Sequence, residues 1–224
     1  MELFHGSPTI VEKPQYGKGN PMNDYGLGFY CTESIELAKE WACKIPKDGF
    51  ANRYTFDSTG LRVLNLSSGE WHILNWLAIL LENRNFEIGN PVAKGAKEYI
   101  LKTFLPDYKT FDVIVGYRAD DSYFSFAKAF LNGGIPLQSL AEAMLLGRLG
   151  EQVCIRSEAA FDRLSFIDTQ LADWQEYYIR RMTRDRKARE DYLKILELSL
   201  GNRDSVYVID ILRQEWKNDD ERLR

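Results

Sequence analysis

The stretch Asp24-Tyr25-Gly26-Leu27-Gly28-Phe29-Tyr30-Cys31-Thr32 sets two glycines, two positions apart, in front of an aromatic and β-branched run. That composition predicts a strand over 28–32, entered through a turn whose backbone can pass closely beside a flat ligand. A hairpin turn with core aromatics would use the same residues. A dinucleotide fingerprint would not, because the third glycine of G-x-G-x-x-G is missing and a strand follows where a helix is required.

Working outward from this strand, Glu2 to His5 reads as a first strand stopped by Gly6-Ser7-Pro8. Between the two lies a loop from Ile10 to Asp24, long enough to be a functional loop or lid. On the other side, Thr32 or Ser34 caps a helix with Ile35, Ala38, Trp41, Ala42 and Ile45 on one face and a Glu40–Lys44 pair on the other. Strands follow at Arg53 to Phe56 and Leu61 to Leu66. Ser67-Ser68-Gly69-Glu70 has the form of a capping box opening an apolar helix over 70–84, with Ile73, Trp76, Leu77, Leu80 and Leu81 inward. A further helix is expected from Lys97 to Phe104 and a strand from Phe111 to Val115. Asp120-Asp121 caps a helix ending at Asn132-Gly133-Gly134, and another helix runs from Pro136 to Leu146. Gln152 to Ile155 is a strand, Glu158 to Leu164 a short helix, and Ser165 to Ile167 a closing strand.

Strands and helices do not alternate strictly, so the fold class is α+β and not a doubly wound sheet. Residues 1–168 form one domain on this reading, and residues 169–224 a helical C-terminal extension. Six basic residues between Arg180 and Arg189, interleaved with Asp185 and followed by Glu190 and Asp191, describe a solvated helix face.

The 224 residues are 45% hydrophobic and 28% charged, which suits a folded chain with a sizeable core. A net charge of −4 and an isoelectric point near 5.4 give no overall basic footprint for nucleic acid. The three cysteines are widely spaced and make neither a disulfide framework nor a metal knuckle, and two histidines are too few for a multi-histidine metal site. The longest apolar run, Trp76 to Leu81, is far short of a membrane span, and the first residues lack the basic and apolar regions of a secretory signal. A cytoplasmic protein without a membrane partner is the expectation.

Four features carry chemistry. His5 at a strand end, followed by Gly6 and Ser7, can present an imidazole where the backbone approaches a ligand closely. Tyr30 and Trp41, eleven positions apart on a strand and the helix after it, can face each other across a slot for a planar heteroaromatic group. Glu151-Gln152 opens an apolar strand, where alternation lets only one of the two face a given side. Asp120-Asp121 is an N-cap pair, with catalytic or metal-binding carboxylates as the other reading.

In this order the motifs resemble the His–Tyr–Glu layout of ADP-ribosyltransferases of the diphtheria-toxin and poly-ADP-ribose-polymerase type. They are closest to a little-characterised bacterial family of that superfamily, with Leu-Phe-His-Gly-Ser at the start, Asp-Tyr-Gly-Leu-Gly-Phe-Tyr-Cys-Thr next, and Phe-Asp-Val-Ile-Val-Gly with Ala-Asp-Asp later. The resemblance covers about 1–168 and implies a split β-sheet core flanked by helices, with NAD as co-substrate. It implies that His5 bonds the adenosine-side ribose and that the Gly6 backbone holds the nicotinamide amide. Tyr30 would stack on the nicotinamide with Trp41 as second aromatic, and Ser7 and Gly28 would border the same site. Ala38 stands where a serine is frequent. Gln152 aligns with the catalytic glutamate, and Glu151 lies one residue early. The implied activity cleaves the nicotinamide–ribose bond and passes ADP-ribose to a macromolecular acceptor, protein or nucleic acid. The implied role is toxin-like, with an antitoxin as partner. Two alternatives remain: a non-catalytic NAD or ADP-ribose-binding module, and a phosphate-transferring relative acting on RNA ends. The second needs several basic residues converging on the cleft, and the N-terminal motifs supply only Lys13 and Lys18.

Overall fold

The computed structural model describes residues 1–85, 88–119, 121–146, 150–199 and 204–223. In chain order the strands are β1 (Glu2–Ser7), β2 (Phe29–Cys31), β3 (Gly49–Phe56), β4 (Val63–Asn65), β5 (Val113–Tyr117), β6 (Glu151–Ile155) and β7 (Leu164–Ala172). The helices are α1 (Ile35–Ala42), α2 (Ile73–Asn83), α3 (Pro91–Phe104), α4 (Asp121–Leu131), α5 (Leu137–Leu145), α6 (Glu158–Phe161), α7 (Trp174–Ser199) and α8 (Val208–Arg213). The class is mixed α+β, as the sequence predicts. Among the described residues no helix is long and apolar enough to cross a membrane.

Two sheets carry the fold. One is antiparallel in the order β1-β3-β7, and the other has the order β2-β6-β5-β4 with only β4 and β5 parallel. They are tied where Phe4 and Thr32 exchange both backbone hydrogen bonds, at 2.8 and 2.9 Å. This link holds β1 beside the strand that the Gly-x-Gly turn introduces.

The first strand does not stop at Gly6: Gly6 pairs with Ala51 and Ser7 with Phe50. Glycine is needed there for packing, since a Cβ on Gly6 would lie 2.0 Å from the Ala38 carbonyl oxygen of α1. Helix α1 starts at the expected cap, with Ser34 Oγ accepting from the Leu37 N–H at 3.4 Å. It ends at Ala42, so the expected Glu40–Lys44 pair does not form: Lys44 enters a turn with Lys47, Ile45 is exposed, and Glu40 is buried.

Helix α2 starts later than expected. Ser67 and Ser68 are spent on a turn over Asn65, and the helix opens at Ile73 with Asn75 Oδ1 accepting from the His72 N–H at 3.0 Å. Helix α3 starts earlier, because Asn90 caps it through the Ala93 N–H at 2.7 Å and Pro91 takes the first turn.

Residue 168, where the sequence reading places the end of the first domain, falls inside a strand. Strand β7 continues to Ala172, pairing with β3 down to Gly49. The helices beyond it are part of the main core: Ala188, Val208, Ile211 and Trp216 lie in the same buried cluster as Trp76, Phe126 and Phe130. Truncating Trp216, which is 2% exposed, therefore removes a buried aromatic from that cluster. Trp216→Ala is expected to cost about 3–5 kcal/mol in a single cooperative denaturation transition. A separate low-stability transition would instead indicate an independent C-terminal unit.

Candidate functional site

The register of β2 on β6 decides which side chains meet. Tyr30 pairs with Cys154, and alternation puts Gln152 on the same face two residues away. Val153 and Ile155 point the other way, into the cluster of Leu3, Cys31 and Phe56. Glu151 shares their side at the strand's start and is exposed, whereas Gln152 is 4% exposed. The β5–β6 ladder is in register through Glu151, opposite Tyr117, so no bulge turns Glu151 inward. Of the pair, Gln152 is the residue that faces the site.

Gln152 is held by Asp24, which the sequence reading quoted but gave no role. Asp24 Oδ2 accepts from Gln152 Nε2 at 2.8 Å and from the Ala119 N–H at 2.9 Å. Its Oδ1 accepts from Arg84 Nε at 2.9 Å and forms an ion pair with Arg84 Nη2 at 2.8 Å, while Nη2 donates to the Ala119 carbonyl at 2.9 Å. The second Gln152 amide proton goes to the Tyr117 carbonyl at 3.1 Å. Both neighbours of this amide nitrogen can only accept, which fixes the amide's orientation and leaves Oε1 as the atom it offers to a ligand.

The Asp24–Gly26 turn closes on Tyr30. The Tyr30 hydroxyl donates to the Gly26 carbonyl at 2.6 Å and accepts from the Tyr25 N–H at 3.0 Å, with Gly26 at φ +78°. Burial, then the neighbouring Cys154 sulfur, holds the Tyr30 phenol far above its ordinary pKa, so this ring acts as a neutral surface. Burial likewise pushes the Cys154 thiol up to about 12, making it a poor nucleophile. His5 Nδ1 lies 2.7 Å from the Tyr30 carbonyl, so it carries the proton and Nε2 is the free acceptor. Burial lowers the His5 pKa, against the raising effect of that bond.

Tyr30 separates two adjoining cavities. The first, about 210 Å³, is lined by Tyr30, Gln152 and Asp24 together with Trp41, Arg84, Arg118 and Arg181. The second, about 300 Å³, is lined by His5, Gly28 and Phe29 and by the long loop at Pro14, Lys18 and Asn23. Tyr30 and Asn23 belong to both. The loop is pinned against β1 by buried Asn52, which accepts from the Val11 N–H at 3.0 Å and donates to the His5 carbonyl at 3.1 Å.

The expected residues are thus only partly convergent. Tyr30, Trp41 and Gln152 share one cavity, while His5 lies beyond Tyr30 in the other. The slot between the two rings is altered too, because the Arg118 guanidinium sits 4.3 Å from the centre of the Trp41 ring. Gly28 borders the second cavity, and a Cβ there would lie 2.5 Å from Cys154 Sγ. Gly6 and Ser7 line neither: Gly6 is against α1, and Ser7 Oγ donates to the Thr9 carbonyl and accepts from Asn52 Nδ2. Their requirement is internal packing. Asp120 lies outside the described residues. Among the described residues, no group of three His, Cys, Asp or Glu side chains is placed to hold a metal ion.

The three arginines were missed. Arg84 closes the helix expected over 70–84, Arg181 belongs to the run read as a solvated face, and Arg118 only precedes the Asp120-Asp121 pair. Most of the run is exposed, as expected, but two of its arginines are tied to α1: Arg180 pairs with Glu36 at 2.6 Å, and Arg184 with buried Glu40 at 2.5 Å. Burial raises the Glu40 pKa, opposed by Arg184, Arg118 and Arg180. The cations near the site therefore exceed the Lys13 and Lys18 foreseen from the N-terminal motifs.

The chain belongs to the family described as "Protein of unknown function (DUF3990)", whose model matches residues 1–166. Comparison with curated proteins and with solved structures gives no match. The matched range contains Asp24, Tyr30, Trp41, Arg84, Arg118 and Gln152, and stops before Arg181.

The Asp24 contact also explains why an amide suits position 152. A glutamate there would bring a second carboxylate against Asp24 Oδ2, and one of the two would have to hold a proton. Gln152→Glu is expected to destabilise the fold by about 1–3 kcal/mol at pH 8. The introduced carboxyl has a folded pKa above its unfolded value, so its penalty grows as pH rises through that window and shrinks towards pH 5. Denaturation of wild type and variant at both pH values checks this; an equal difference at both would count against the like-charge explanation.

Proposed function

We propose that this protein is an NAD-dependent ADP-ribosyltransferase with a core of the diphtheria-toxin and poly-ADP-ribose-polymerase type. It cleaves the nicotinamide–ribose bond of NAD and transfers ADP-ribose to a macromolecular acceptor, in a toxin-like role in the cytoplasm. The observation that supports this reading is the meeting of Tyr30 and Gln152, from paired strands β2 and β6, on one cavity that also holds Trp41 and guanidinium groups.

In this reaction the bond from the ribose C1′ to the nicotinamide nitrogen breaks, and nicotinamide leaves with the electron pair. The acceptor's nucleophile bonds to C1′ and gives up its proton to solvent, while nicotinamide leaves neutral. Tyr30 offers the ring surface for the nicotinamide, and its hydroxyl is already tied to the Asp24–Gly26 turn. Gln152 Oε1 accepts from a ribose hydroxyl, and its dipole is reinforced because Asp24 and the Tyr117 carbonyl draw on the amide protons. His5 Nε2 serves as acceptor for the adenosine-side ribose in the second cavity. A dipole stabilises the positive charge developing on the ribose less than a carboxylate does, so turnover is slow by about a hundredfold or more against a glutamate-bearing site.

One observation favours a second reading, a binding module for NAD or ADP-ribose. The cavity's carboxylate, Asp24, is paired with Arg84, and Arg118 and Arg181 add positive charge. Such a site suits the anionic diphosphate and works against a cationic transition state.

Incubation with NAD labelled in the nicotinamide ring separates these readings. The transferase releases free nicotinamide; a binding module retains intact NAD; absence of NAD binding by calorimetry removes both. Tyr30→Ala is expected to weaken NAD binding at least about tenfold, the worth of one lost stacking surface. Unchanged affinity would take the ring out of the site.

A further inference from the structure

Helix α7 lies across α1 through a stripe of contacts one turn apart. Tyr177 accepts from Lys39 Nζ at 3.3 Å and donates to Glu36 at 3.4 Å, Arg180 pairs with Glu36, and Arg184 pairs with Glu40. Arg181 falls on this stripe, four positions after Tyr177 and three before Arg184. The carboxylates of α1 are taken by its neighbours, and among the described residues Arg181 has neither ion pair nor hydrogen bond. It is half-buried and lines the cavity that also receives Arg118, Trp41 and Gln152.

A guanidinium withdrawn from water without a counter-charge is costly, and a planar fork of N–H donors is matched by phosphate oxygens. Arg84 is committed to Asp24 and Arg184 to Glu40, so Arg181 is the cation that can turn to a ligand, in a cavity whose wall Arg118 shares from its place over the Trp41 ring. The Trp41 indole N–H, buried beside them, is a further donor with no partner.

We propose that Arg181, carried by the C-terminal helix, forms with Arg118 a phosphate-binding subsite, and that its ligand is a nucleoside diphosphate. At about 210 Å³ the cavity is below the usual size for a whole cofactor, and so takes one portion of a ligand that continues past Tyr30 into the second cavity. This deepens the reading given above, since it assigns the diphosphate of an NAD-like ligand, but it needs only the phosphates and not the transfer reaction. The subsite also crosses the limit of the family match, because Arg181 lies outside 1–166.

The test is calorimetric titration of the full chain with ADP, adenosine and a short single-stranded RNA, for wild type, Arg181→Ala and Arg181→Lys. ADP is expected to bind wild type and to lose about ten- to a hundredfold in affinity in Arg181→Ala, the range for a lost charged hydrogen-bond donor. Arg181→Lys is expected to recover part of it, and adenosine binding to stay level. Because Arg181 makes no hydrogen bond or ion pair among the described residues, the alanine variant should melt close to the wild-type temperature. The proposal is overturned if ADP does not bind, if Arg181→Ala binds ADP as well as wild type, if adenosine weakens equally, or if RNA and not ADP is the ligand that depends on Arg181. ADP binding that depends on Arg181, without nicotinamide release from NAD, would keep the subsite and remove the transferase. Release that is indifferent to Arg181 would do the reverse.

Discussion

The arrangement depends on one buried carboxylate. Asp24 gathers Gln152 from β6, the Ala119 N–H from the segment after β5, and Arg84 from the end of α2, partners that lie 60 to 128 positions away along the chain. An unpaired charge at such depth would cost several kcal/mol, roughly the whole margin of a small domain's stability. The four groups are therefore mutually obligatory. Their geometry also orients Tyr30, whose hydroxyl is bound within the same turn, and so fixes both walls of the first cavity.

This constraint gives the unusual residue at position 152 a physical reason. A strand residue beside a carboxylate whose Oδ1 already serves Arg84 is most stable as a donor, and glutamine donates where glutamate cannot. The site's negative charge thus resides on the loop before β2, neutralised by a guanidinium, while the strand presents a neutral acceptor. A cavity organised this way is electrostatically suited to anions.

What could be read from the sequence was local or periodic. The strand around Tyr30 and a helix cap at Thr32 or Ser34 follow from turn chemistry, and alternation says that only one of Glu151 and Gln152 faces the site without saying which. The β1 extension through Gly6 was hidden because glycine punctuates most strands, and only α1 lying on it reveals that the missing Cβ serves contact. Ser67 and Ser68 have the letters of a helix cap but are used by the preceding turn, a competition between two short-range options that composition does not decide. The arginines were illegible for another reason: their partners are set by tertiary approach, so a charge run on α7 looks solvated until Glu36 and Glu40 of α1 are seen beneath it.

The position of the C-terminal helices has a consequence for how this architecture can vary. The family-wide segment ends within β7, while the residues that cover the main core and reach the cavity come after it. The matched part therefore leaves one side of its core to be closed by the segment after it, which also lines the cavity with Arg181. Loss of the segment after residue 166 would therefore uncover the main core and open one side of the cavity in a single event.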